Sequence, residues 1–159
     1  MDVVGPRAAE LELLNEVARI ATLDLELRPM MQRITDVLSR AFGWEFIALI
    51  TIDAEGVSFV CDAVTSVQPT TIHVGYSRTL GSGVVGHVAA TAEPMLIDDV
   101  REVPFYVETM PGAMSEVCVP VRHRGRTVAI INLESTRVGA FRGQLPLLLT
   151  VADQIAGAI

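Results

Sequence analysis

Two hydrophobic periodicities alternate along this chain. Over residues 7–22 apolar groups fall at Leu11, Leu14, Val17, Ala18 and Ala21 with charges between them, a spacing close to one helical turn. The stripe is narrow, like a coiled-coil seam, and predicts a terminal helix whose partner is another helix. A second helix is expected from an N-cap at Asp24, with Pro29 in its first turn. Met30, Met31, Ile34, Val37, Leu38 and Ala41 form its buried face, and Gly43 ends it. Over residues 45–53 the period shortens to two. Phe46, Ala48, Ile50 and Ile52 point one way, Ile47 and Leu49 the other. Both sets are apolar, so layers are expected on both sides of this strand. Ala54-Glu55-Gly56 turns the chain into an antiparallel partner over 57–64. A polar loop at 66–70 follows, then an edge strand over 71–76.

Residues 80–90 read as a glycine-rich turn opening a helix of small residues, Gly81-Ser82-Gly83-Val84-Val85-Gly86 and onward. Glu93-Pro94 breaks it, and 95–98 is a short strand. Residues 103–114, with Pro104, Pro111 and Gly112, cannot form a long regular element and predict a mobile wall over a pocket. A hairpin about Arg124-Gly125 joins strands over 116–122 and 126–133. In it Val117, Val119, Val121, Ala129, Ile131 and Leu133 alternate with Cys118, Pro120, Val128 and Ile130. Residues 143–159 close the chain as a helix with Leu147, Leu148, Val151, Ile155 and Ala158 inward. No linker or internal repeat interrupts the pattern, which predicts a single α+β domain over 1–159, with a disordered leader at 1–6.

Composition narrows the function classes. Half of the 159 residues are hydrophobic, enough for a core without disulfide or metal staples. The formal net charge of −7 argues against a general nucleic-acid or anionic-membrane surface. Arg122, Arg124, Arg126, Arg137 and Arg142 gather near the hairpin, where they read as a solvated turn. No apolar run approaches the ~20 residues of a membrane span, and no signal sequence opens the chain. Cytoplasmic localisation is the expectation.

The candidate chemistry is sparse. Gly81-Ser82-Gly83-Val84-Val85-Gly86 matches G-x-G-x-x-G, yet it lies mid-chain among antiparallel strands and lacks an acidic residue about 20 positions on for a ribose. A tight helix entry explains the glycines better. Its free amides still favour a carboxylate or phosphate ligand. Cys61 and Cys118 lie in apolar strand runs and read as core thiols. His73, His87 and His123 lack metal spacing. His73, in a strand beside the lid, is the candidate haem ligand or pH-sensitive group. Asp99 caps the turn that follows it. Phe105, Tyr106, Met110 and Met114 are the candidate ligand contacts, either as an adaptable pocket wall or as a plug for the core.

Leu80–Gly86, Ile97-Asp98-Asp99-Val100, Ser115-Glu116 followed by Val119-Pro120-Val121, and the strand from Ile130 to Ser135 together resemble a GAF domain of bacterial signalling type. That resemblance implies a central antiparallel sheet with terminal helices on one face and a ligand pocket under a lid on the other. It adds Gly83, Val85, Glu116 and Cys118 to His73 and the lid residues as candidate ligand contacts. Cyclic-nucleotide binders of the family carry Asn-Lys, Phe and Asp-Glu where this chain has Asn132-Leu133, Phe141 and Leu145-Pro146. Its free methionine sulfoxide reductases carry cysteines where Val85 and Thr109 stand, and its bilin binders attach their pigment to a cysteine absent from 101–116 and 132–135. The resemblance therefore implies a non-catalytic regulatory module that senses an unidentified small molecule or serves as a scaffold. It implies a homodimer through the terminal helices and an output domain beyond the last helix, a diguanylate cyclase or histidine kinase. No cofactor is named. The rival reading is a thiol-dependent enzyme of the free methionine sulfoxide reductase type.

Overall fold

The computed structural model describes residues 6–81 and 83–159. The expected leader at 1–6 lies outside the described residues, except that Pro6 begins the first helix. Four helices, α1 (Pro6–Thr22), α2 (Leu27–Phe42), α3 (Gly83–Thr91) and α4 (Leu145–Ala156), accompany six strands. These are β1 (Phe46–Ile52), β2 (Ser58–Ser66), β3 (Ser77–Thr79), β4 (Met95–Ile97), β5 (Ser115–His123) and β6 (Arg126–Ser135). They form one antiparallel sheet in the order β3-β2-β1-β6-β5-β4. The central strand β1 is apolar on both faces and is covered on both, as the sequence pattern requires. The β5–β6 hairpin turns at Arg124 and Gly125, both with positive φ (51° and 79°). That backbone matches the right-handed twist of the strands it joins.

Alternation sorts the side chains into two cores. Ile47, Leu49, Val117, Val119, Ile131 and Leu133 meet Val17 of α1, Ile34 and Leu38 of α2, and Leu148, Val151 and Ile155 of α4. Phe46, Ala48, Ile50, Cys61, Cys118 and Ile130 face α3 and the irregular segment after β4. Each large buried side chain stabilises the fold by about 1.5–3 kcal/mol. An exposed pair such as Arg19–Glu16 contributes far less. Polar ties fasten α2 to β2: Gln32 Nε2 donates to Val64 O at 3.0 Å, and Arg28 Nε to Asp62 Oδ1 at 2.7 Å.

Three local expectations change. The inward stripe of α1 is Leu13, Val17 and Ile20, because the helix lies against both α2 and α4; Leu11 is 60% exposed and Leu14 half-buried. Helix α2 starts at Leu27 behind Glu26, since Leu25 turns back to bond Leu23 O and packs on the core, leaving Asp24 outside the helix. Residues 71–76 are a loop, not an edge strand: Gly75 has φ +93° and the Tyr76 amide closes a turn onto His73 O. The edge strand is β3, one step later. The Gly43 stop of α2 stands as expected, with φ +65° and its amide on Ser39 O.

Candidate functional site

The face of the sheet away from α1, α2 and α4 carries the chemistry. The even positions of β5 and β6 point there, which sets Glu116 directly opposite Glu134 and Cys118 opposite Asn132. Directly paired positions hold their Cβ atoms about 4.5–5.5 Å apart. Glu116 is 3% exposed, Asn132 5% and Glu134 1%, so two carboxyls share a dry space. Tyr106 Oη donates to Glu134 Oε1 at 3.0 Å and Thr109 Oγ1 to Oε2 at 2.9 Å. Glu116 Oε2 and Asn132 Oδ1 are buried with no partner among the described residues.

Burial is the main cause that raises both carboxyl pKa values. It carries Glu134 from the usual 4.5 to about 7, against the Thr109 and Tyr106 bonds that favour its charged form. Glu116 is raised by burial and by the charge of Glu134. Two facing carboxylates in a low dielectric repel, so the pair holds a proton or wants a cation. The same burial keeps the thiols protonated: Cys61 is pushed up to about 11, and Cys118 is raised by burial and then by Glu116 and Glu134. These cysteines lie on β2 and β5 with β1 and β6 between them. Three strand spacings amount to roughly 14 Å, twice the Cα separation a disulfide tolerates.

The segment between β4 and β5 forms the lid. A 3₁₀ turn at Val100–Glu102 opens it, with Asp99 capping the Arg101 amide at 3.0 Å as the sequence suggests. Val100 N–H donates to Met114 O, and Met114 N–H to Ser135 O, which pins both lid ends to β6. Thr70 Oγ1 and the Thr71 amide reach Thr109 O from the opposite loop. Beneath the lid lies a cavity of about 30 Å³ whose walls include Phe46, Phe59, Cys61, Tyr76, Arg78, Val85, Thr109 and Asn132. That volume holds about one or two waters, so anything larger needs the lid to move. An open groove of about 490 Å³ lies outside, along Leu80, Gly81, Gly86, Ala89 and Arg126. It is roomier, but the opposed carboxyls lie elsewhere.

The glycines before α3 answer to geometry. Gly81 and Gly83 have φ of +109° and +74°. A Cβ on Gly86 would lie 2.7 Å from the Gly81 amide nitrogen. The helix entry is packed too tightly there for any side chain.

Of the residues singled out in the sequence, Val85 lines the pocket, Cys118 and Tyr106 belong to the core on the same face, and Glu116 is paired there with Glu134. Met110 is fully buried in the same core, and Gly83 sits at the lid, where a Cβ would touch Val107 and Arg78. Phe105 is elsewhere: 40% exposed, it stacks on His87 outside the pocket, its centroid 5.0 Å away. Met114 is half-buried and contributes its backbone. His73 is exposed in a loop rather than set in a strand, its Nδ1 3.0 Å from Val74 O. Sequence reasoning passed over Glu134, Asn132, Thr109 and Arg78 as site residues. Glu134 and Asn132 had left a signal, since polar groups at Asn132 and Glu134 interrupt an otherwise inward apolar alternation with Ile130.

No helix is long and apolar enough to cross a membrane among the described residues. The chain is 39% identical over 62 residues to protein ZMO0507 of Zymomonas mobilis, a match covering 38% of this chain and 38% of that protein. A free methionine-R-sulfoxide reductase from Neisseria meningitidis, solved with its substrate, superposes with a TM-score of 0.87 at 18% identity, covering 99% of this chain and 92% of the other. A solved GAF domain superposes with a TM-score of 0.83 at 16% identity, covering 96% and 88%. The reductases among these neighbours overturn the expectation of a non-catalytic module: this architecture, nearly end to end, is also that of enzymes. The family model for the GAF domain matches residues 24–159, and with the sheet, the lid and the pocket in place the chain belongs to the GAF domain family.

Proposed function

We propose that this GAF domain binds a small ammonium-bearing ligand of the free amino acid class beneath the lid, methionine sulfoxide being the ligand chemistry of its structural neighbours. One observation carries this reading: two buried, directly opposed carboxyls, with the unpartnered acceptors Glu116 Oε2 and Asn132 Oδ1 beside them. An ammonium group brings a positive charge and three donors to the carboxyl pair, which makes no ion pair among the described residues. Phe46, Phe59 and Tyr76 offer an apolar wall for the rest of the ligand. A thermal-shift comparison of L-methionine sulfoxide with its des-amino analogue tests it. The amino acid is expected to raise the melting temperature and the analogue to have no effect. Equal shifts from both would sink the proposal.

The second reading is turnover, supported by the likeness to the reductases. Of the two thiols on this face, Cys118 lies on β5 two residues from Glu116 and opposite Asn132. Its sulfur attacks the sulfoxide sulfur and takes up the oxygen as a sulfenic acid, releasing the thioether; an external dithiol then reduces the sulfenic acid and leaves water and a disulfide. A raised thiol pKa makes this step slow at neutral pH. Methionine release with a dithiol reductant, lost in Cys118→Ser, supports turnover. Release that persists in Cys118→Ser excludes this route.

In a signalling setting, ligand capture moves the lid, and the sheet passes the change to the terminal helices. Those helices pair with a second copy and lead to an output domain. The outer faces of α1 and α4, with Leu11 and Leu149 exposed, support the pairing.

A further inference from the structure

Among the described residues the partly buried Arg78 side chain makes no ion pair. It projects from β3 beneath the lid, its Cζ 5.5 Å from the Phe59 ring centroid, and it lines the same cavity as Asn132 and Thr109. Its Nε is buried without an acceptor among those residues. Glu116 feels its charge, yet Glu116 Oε2 is itself unpartnered. Arg78 and Asn132, whose Oδ1 also lacks a partner among the described residues, therefore face one small cavity, with Glu116 on the strand that neighbours Asn132. A guanidinium presents five donors in a planar fork suited to a carboxylate. A Cβ on Gly83, the first residue of α3, would come within 3.3 Å of Arg78 Nη2. The arginine thus sits beside the first turn of α3, whose leading amides lack intrahelical acceptors.

Resting on the ammonium reading above, we infer that Arg78 and the first turn of α3 form an anion subsite that takes the carboxylate of the same ligand. The site then recognises a free α-amino acid as a zwitterion, with the ammonium at Glu116 and Glu134 and the carboxylate at Arg78. A residue within a peptide, its carboxyl already in an amide, is excluded by this chemistry. The Phe59 ring, 5.5 Å from Arg78 Cζ, holds the guanidinium by a cation–π contact.

Calorimetric titration of the full chain with L-methionine sulfoxide and with L-methionine sulfoxide amide, whose carboxyl is capped, tests the inference. The acid is expected to bind at least tenfold tighter than the amide, a difference of about 1.4 kcal/mol. In Arg78→Gln the acid falls to the level of the amide while the amide is unchanged, and Arg78→Lys retains part of the preference. Equal affinity of acid and amide for the wild-type protein overturns the anion subsite and leaves the ammonium reading standing. Absence of binding by both overturns that reading and the subsite with it. The wild-type comparison decides even if Arg78→Gln fails to fold, which its circular dichroism spectrum reports.

Discussion

At Glu134 two demands meet. Its carboxylate accepts from Tyr106 and Thr109, while burial, and after it the charge of Glu108, holds a proton near it up to about pH 7. A carboxyl whose pKa rises on folding binds its proton more tightly in the folded state, so its contribution is complete below about 4.5 and is lost as pH rises through about 7. The ligand-free protein is therefore expected to lose roughly 5 °C or more of melting temperature between about pH 5 and about pH 8. Glu134→Gln should flatten that slope, and a melting temperature that rises across the window would contradict the assignment. Ligand affinity should run the opposite way, strengthening with pH as the pair ionises to receive an ammonium. At Gly86 the argument is steric: alanine there places a Cβ 2.7 Å from the Gly81 amide nitrogen. Gly86→Ala is expected to cost about 2 kcal/mol or more in a denaturant melt; a neutral result would mean that the helix entry gives way freely. The sequence made Gly86 legible as a tight-packing residue. Glu134 was harder to see, because an acid at an inward strand position declares itself only once β5 is laid beside β6 and Glu116 is found opposite.

The lid is the element on which the site depends. Its proline and glycine content predicted an irregular cover, and the structure adds what closes it: Tyr106 and Thr109 on Glu134, Thr109 O under Thr70 and Thr71, and Met114 on β6. Removing the phenol strips one bond from a buried carboxyl. Tyr106→Phe is thus expected to cost about 1–3 kcal/mol and to speed amide hydrogen exchange selectively over 103–114. Unchanged exchange there would show that Tyr106 is no latch. Among the other elements, β1, α2 and the β5–β6 hairpin were legible because their periodicity is long and unbroken. The phase of α1 was not, since a terminal helix with apolar groups on adjacent faces allows more than one inward stripe, and only packing against α2 and α4 selects Leu13, Val17 and Ile20. The edge strand was misplaced because Ile72 and Val74 suit a strand, whereas the positive φ of Gly75 bends the chain before pairing resumes at Ser77.

For the whole molecule, the sheet separates a mostly apolar helical layer, with polar ties between α2 and β2, from a layer that mixes apolar walls with a buried carboxyl pair. The proposed ligand site lies on the mixed side, and the proposed pairing with a second copy uses the outer faces of α1 and α4. Light scattering at high micromolar concentration is expected to give a dimer, and Leu11→Arg with Leu149→Arg a monomer; a wild-type monomer would remove the pairing. The carboxyl pair is the proposed seat of the ligand's ammonium group. Isothermal titration of L-methionine sulfoxide into the wild-type protein and Glu134→Gln near neutral pH tests it most directly. The account predicts saturable one-to-one binding to the wild type that weakens at least tenfold, about 1.4 kcal/mol, in the variant. Binding of equal strength to both, or no saturable heat from the wild type at millimolar ligand, would contradict it.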